Sequence, residues 1–171
     1  MNQEPDVVII NTRLGQIVIE PDHEAAPLTA KNFLKLASEG FYNQTTFHRV
    51  IPGFMIQGGD PNSRGEDRSE HGRGGPGYTV PAEIKKPNVR GSVATARMGD
   101  NVNPKKESSG SQFFINVKDN SFLDSQYTVF GRVIKGMEVA DKIVGESRDR
   151  ADNPLQRVEM TVTVASKSQV A

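Results

Sequence analysis

Phe47-His48-Arg49-Val50-Ile51-Pro52-Gly53-Phe54-Met55-Ile56-Gln57-Gly58-Gly59-Asp60 is the stretch whose reading decides this chain. It sets one guanidinium and one amide among large apolar side chains and ends its second strand on a glycine pair. It holds no nucleophile and no acid/base pair. A site built this way can grip an apolar group and hold one cation over it, but cannot carry out covalent or proton-transfer chemistry. Ser109-Gly110-Ser111-Gln112-Phe113-Phe114-Ile115-Asn116 repeats the combination of an amide beside aromatics, and Phe122-Leu123-Asp124 adds two apolar groups downstream.

Strand periodicity sorts these residues into faces. Gln112 and Phe114 fall on one side of their strand, with Phe113 and Ile115 on the other. Arg49 shares a face with Ile51, and Met55 with Gln57. Turning Arg49 or Gln57 inward would bury unpaired polar groups at ~1–3 kcal/mol each. The polar-bearing faces are therefore expected to point outward into a groove, and the Phe113/Ile115 face to fill the core.

Outward from this stretch the chain reads as many short strands. Val7 to Asn11 and Gly15 to Glu20 form a β-branched hairpin. Phe47 to Val50, Phe54 to Gln57, Ser92 to Ala96, Gln112 to Val117 and Tyr127 to Val133 follow. Val158 to Val164 closes the series, with Val158, Met160, Val162 and Val164 alternating against polar residues. Pro27 opens a helix running through Glu39, with Ala30, Phe33, Leu34 and Ala37 on one face and Gly40 at its end. A second helix spans Met137 to Val144. Short strands with Gly/Pro turns and only two helices predict a closed barrel or a sandwich in a single domain over residues 1–171. Two polar segments, Asp60 to Gly77 and Gly99 to Gly110, lack periodicity and read as surface loops.

The 171 residues carry 21 basic and 21 acidic side chains, which gives no electrostatic case for nucleic acid or an anionic membrane. With no cysteine, disulfides, thiolate metal sites and cysteine nucleophiles are excluded together, and a reducing compartment fits. The acidic start Met1-Asn2-Gln3-Glu4-Pro5-Asp6 lacks the basic head of a signal peptide, so a cytoplasmic monomer is expected. Gly72-Arg73-Gly74-Gly75-Pro76-Gly77 has the letters of a dinucleotide fingerprint, but the strand-like Tyr78-Thr79-Val80-Pro81 follows it and no helix begins. Asp60, Asp67, Glu70 and His71 have no metal-ligand spacing, the three histidines are scattered, and no G-x-S-x-G elbow is present.

The three motifs, together with Val129-Phe130-Gly131-Arg132-Val133-Ile134-Lys135-Gly136-Met137, resemble the cyclophilin family of peptidyl-prolyl cis/trans isomerases over nearly the whole chain. The resemblance implies a closed eight-stranded antiparallel β-barrel capped by two helices, with the active groove on its outer face. It implies Arg49 as the catalytic residue and Phe54, Met55, Phe114 and Leu123 as the proline pocket. Gln57 and Gln112 then stand beside the arginine and the substrate backbone, Ala96 and Arg97 on the substrate-backbone strand, and Phe122 and Tyr127 on the rim. Neither cofactor nor metal is implied, and the partners are proline-containing polypeptide segments whose folding the isomerase would assist. Phe122, Tyr127 and Arg97 stand where well-known eukaryotic members have tryptophan, histidine and asparagine, and resemble the bacterial branch. The loss of the rim tryptophan implies weak cyclosporin binding. The rival reading is a cyclophilin-like module that holds proline segments without turning them over.

Overall fold

The computed structural model describes residues 6–170. Strands β1 (Asp6–Thr12) and β2 (Gly15–Pro21) form the expected hairpin, with Ile9 opposite Val18. Helix α1 (Pro27–Ser38) starts on a proline whose missing N–H costs nothing in the first turn. It buries Ala30, Phe33, Leu36 and Ala37, while Leu34 is only partly covered. Then come β3 (Phe47–Ile51), β4 (Met55–Gly58), β5 (Ser92–Thr95), β6 (Phe113–Asn116) and β7 (Val129–Lys135). Helix α2 (Met137–Val144) and β8 (Thr161–Ser166) follow, with three short 3-10 turns in the connections and a fourth, Lys167–Val170, after β8. Tyr78 to Pro81 is not a strand; only an isolated bridge joins Val80 to Ser108.

All eight strands belong to one antiparallel sheet in the order β3-β4-β6-β5-β7-β2-β1-β8. The closed barrel expected above is not formed. The sheet is an open half-barrel whose edge strands, β3 and β8, share no ladder. Residues just before them approach through one isolated bridge, Thr46 to Glu159, and a few backbone bonds such as Phe47 N–H to Val158 C=O at 3.1 Å. The physical cause lies in β3. Its register against β4 shifts between Phe47 and Arg49, and the Val50 N–H donates to Asp152 C=O at 2.7 Å instead of to a strand. An evenly spaced row of donors is what a closing ladder needs, and a bulge removes it.

The same bulge decides which side chains fill the core. Phe47 and Val50, three residues apart, would face opposite ways in a regular strand, yet both lie in the main core at 0% exposure. There they join Ile56, Phe113, Ile115 and the helix residue Phe33. Phe113 meets Phe33, Tyr42 and Phe47 edge-on, at 5.5, 5.6 and 6.2 Å between centroids. Gly58 and Gly59 end β4 because no larger residue fits. A Cβ at Gly58 would lie 2.9 Å from Thr46 C=O, and one at Gly59, which has φ +89°, would lie 2.6 Å from Ser111 C=O.

Candidate active site

One row of residues across the outer face of the sheet builds the site. Register places Arg49 opposite Gln57, Gln57 opposite Phe114, Phe114 opposite Ala94 and Ala94 opposite Val129. The row behind it, Val50–Ile56–Ile115–Val93, points into the core. Met55, Ala94, Phe114, Leu123 and Val129 form a second apolar cluster on the outside, flanked by Phe54, Ile51 and Tyr127. The face assignment made from periodicity matches this packing: Phe113 and Ile115 are core, and Phe114 belongs to the outer cluster.

Arg49, Phe54, Met55, Gln57, Ala96, Arg97, Phe114, Leu123 and Tyr127 surround a pocket of about 130 Å³. Its floor is apolar and its mouth carries the Arg49 guanidinium, which is exposed and makes no hydrogen bond or ion pair among the described residues. Gln112 lies just off the wall, where its Oε1 accepts from Gln57 Nε2 at 3.0 Å and its own Nε2 donates to Gly74 C=O at 2.8 Å. This pair fixes Gln57 beside Arg49 and ties loop 60–77 to the sheet. Phe122 is 68% exposed, and its ring stands 5.5 Å from that of Phe54, on the rim.

The two backbone-binding candidates divide. Ala96 spends its N–H on Gln112 C=O and its C=O on Ser109 N–H, both at 2.9 Å, so only its methyl is available to the pocket. The N–H and C=O of Arg97 have no partner among the described residues. The Arg97 side chain is committed elsewhere: Nε donates to Gln126 C=O at 2.8 Å, Nη1 reaches Asp100 at 2.9 Å, and the guanidinium stacks 4.7 Å from the Tyr127 ring. Arg97 thus clamps loop 97–107 to Tyr127 and leaves its backbone edge free.

Three buried asparagines hold the other wall. Asn116 Nδ2 donates to Asn88 Oδ1 at 3.1 Å, and Asn120 Nδ2 donates to Asn116 Oδ1 at 2.7 Å and to Phe54 C=O at 2.9 Å. From the sequence, Asn116 stands in a quoted motif without a role and Asn88 and Asn120 are not singled out, because isolated asparagines carry no pattern and only the fold brings them together. His48 and His71 were also read as scattered, yet their rings approach to 6.5 Å. His48 is buried, neither of its ring nitrogens has a hydrogen-bond partner among the described residues, and burial pulls its pKa down to about 4 despite the nearby Asp60 carboxylate. The Asp60 and Asp67 carboxylates serve the loop backbone. Asp60 accepts from the Asn62 and Gly72 N–H groups, and Asp67 from that of Ser69. Among the described residues no group of three or more His, Cys, Asp or Glu is placed to hold a metal, and no helix is long and apolar enough to cross a membrane.

An eight-stranded half-barrel with two helices, carrying a free arginine over a small apolar pocket on its outer face, defines a cyclophilin-like protein. Known proteins agree. Residues 7–164 match the family described as cyclophilin type peptidyl-prolyl cis-trans isomerase, and the chain belongs to that family. It is 41% identical over 170 residues to the peptidyl-prolyl cis-trans isomerase A of Dickeya dadantii, covering 95% of this chain and 83% of that one. It is 45% identical over 148 residues to the peptidyl-prolyl cis-trans isomerase of Acinetobacter baylyi, covering 80% and 71%. The crystal structure of a cyclophilin-type isomerase from Cryptosporidium parvum superposes with a TM-score of 0.83 at 30% identity, over 96% of this chain and 99% of that one. A second structure of the same protein, in the presence of the dipeptide Ala-Pro, gives 0.81 at 31% identity, over 94% and 99%. The chain is accordingly a peptidyl-prolyl cis-trans isomerase, and the non-catalytic reading is not favoured.

Proposed function

We propose that this isomerase turns X-Pro bonds in unfolded or flexible polypeptide segments, that Arg49 is its catalytic group, and that it assists protein folding. The observation that carries the proposal is the unpaired Arg49 guanidinium at the mouth of an apolar pocket lined by Phe54, Met55, Phe114 and Leu123. Rotation about a peptide bond must break amide resonance, at ~18–20 kcal/mol. Halfway round, the prolyl nitrogen becomes pyramidal and regains a lone pair. A donor aimed at that lone pair binds the transition state and not the planar ground state, which is the condition for acceleration. Arg49 is such a donor, fixed in charge by its chemistry and in place by its row with Gln57 and Phe114.

The charged hydrogen bond is worth ~1.5–3 kcal/mol, or about one to two powers of ten in rate. The remaining acceleration would come from anchoring the ring in the pocket while the free backbone edge of Arg97 holds the chain on the carbonyl side. The planar amide is more dipolar than the twisted one, so the apolar wall favours the latter. That a structural relative was crystallised in the presence of Ala-Pro supports a proline-sized occupant. The test is a protein whose refolding waits on an X-Pro bond, a phase of tens to hundreds of seconds. Catalytic amounts of the wild type should abolish that slow phase, and an unchanged phase would refute the folding role. We also place the protein in the cytoplasm, on its cysteine-free composition; recovery from another fraction of the cell would refute that.

A further inference from the structure

Arg49 and Gln57 line two hollows, not one. On the side away from the proline pocket they join His48, Arg68, His71, Gly72, Ala151 and Asn153 around a second hollow of about 220 Å³. Its polar character is set by bonding already in place. His71 Nε2 lies 2.9 Å from Gly65 C=O and its Nδ1 3.0 Å from Asn153 Nδ2, so both ring nitrogens are already engaged. His48 is buried beside it with both ring nitrogens unpartnered, and the missing Cβ of Gly72 leaves open space in front of its Nε2, which that Cβ would approach to 3.7 Å. The charges lining the hollow are the guanidiniums of Arg49 and Arg68, and no carboxylate lines it. Arg68 is anchored through Nη1 to Asp149 at 3.1 Å and through Nη2 to Pro154 C=O at 2.8 Å, which leaves its Nε without a partner among the described residues. The chain neighbours of the lining include the acids Asp67, Glu70 and Asp152, of which Asp67 holds the Ser69 N–H and Asp152 the Arg148 Nε. Asp149 spends its other oxygen on the Ala151 and Asn153 N–H groups, and Asp60 is fully buried with both oxygens on backbone N–H groups.

We infer that this hollow is a second substrate subsite, which takes the side chain of a residue flanking the proline and favours a carboxylate there. The inference rests on the isomerase reading above: a chain whose proline sits in the first pocket must cross the Arg49–Gln57 pair, and a neighbouring side chain then reaches the second. Because Arg68 is partly neutralised and Arg49 is exposed, the preference is modest, about two- to fivefold, and falls with added salt. The test measures cis/trans exchange by NMR on capped tetrapeptides that carry glutamate, glutamine or lysine immediately before or immediately after the proline. The wild type should process the glutamate peptide about two- to fivefold better in kcat/KM than the glutamine peptide at one of the two positions, and the lysine peptide worse. The ratio should shrink between about 10 mM and 0.5 M salt. Ala151→Glu, which sets a carboxylate at the hollow's exposed edge, should reverse the order, while Ala151→Gln should keep it. Equal turnover of glutamate and glutamine peptides at both positions, with exchange still catalysed, would overturn the subsite and leave the isomerase standing. Catalysis of none of the peptides would overturn both.

Discussion

Phe113 and Phe114 are chain neighbours on opposite faces of β6, so truncating each in turn separates the core from the site. Phe113 is 1% exposed and meets three rings edge-on, all within 6.2 Å. Phe113→Ala removes that ring from a dense core, at ~3–5 kcal/mol. For a chain of this size each kcal/mol moves Tm by about 2–4 °C, so the midpoint should fall by about 6–20 °C. Phe114 has one aromatic neighbour, Tyr127 at 5.5 Å, and its other side lines the pocket, where solvent can take the place of the lost ring. Phe114→Ala should therefore cost less stability, ~1–3 kcal/mol, and more activity, because the floor under the substrate ring is gone. Urea unfolding gives the first quantity, and NMR exchange of an X-Pro peptide below the unfolding transition gives the second. A Phe113→Ala protein as stable as wild type, or a Phe114→Ala protein with wild-type kcat/KM, would show that the faces are inverted.

His48 titrates near 6.5 in the unfolded chain but only at about 4 in the folded one, because burial disfavours its charge. The unfolded state therefore binds more protons across that window, and stability should fall as pH drops from 6.5 to about 4, by roughly 3 kcal/mol at the limit. Urea midpoints at pH 7.5 and 4.5 should show this loss in wild type and a flatter profile in His48→Gln; parallel profiles would refute it. Asn120→Ala should leave Asn116 Oδ1 short of a donor, at ~1–3 kcal/mol, and remove one of the two donors to Phe54 C=O, which keeps the Val117 N–H at 3.1 Å; it should raise KM more than it lowers kcat. An unchanged KM would sink the idea that Asn120 sets the pocket wall. Phe122 offers cyclosporin an apolar ring but no N–H, so Phe122→Trp should bind the drug about five- to a hundredfold more tightly at similar kcat/KM. Titration of both proteins decides it, and equal affinities would refute the rim assignment.

The site was legible in the sequence where alternation alone fixes a face. Gln57 with Met55, and Gln112 with Phe114, needed only period two and the cost of burying an amide. The hairpin and helix α2 were legible for the same local reasons. What alternation could not show was non-local. The bulge beside His48, which turns Phe47 and Val50 the same way, depends on pairing with β4. The open edge between β3 and β8 depends on Asp152 capturing the Val50 N–H from a distant loop. Leu36 fills the core where Leu34 was expected, because Thr29, Phe33 and Leu36 continue one helical stripe and Leu34 lies about 100° round the helix from Phe33. The asparagine chain from Asn88 to Phe54 and the second hollow beside Arg49 join segments far apart in sequence, and no spacing encodes them.

In the proposed mechanism one guanidinium, unpaired among the described residues, supplies the transition-state interaction over an apolar pocket. Arg49 is exposed and holds nothing else in place, so Arg49→Ala should unfold at the same urea concentration as wild type. Its kcat/KM for cis/trans exchange of a short X-Pro peptide, measured by NMR, should fall about ten- to a hundredfold, equivalent to ~1.4–2.7 kcal/mol of lost transition-state binding. A folded Arg49→Ala protein that exchanges the peptide at near wild-type rate would contradict the mechanism.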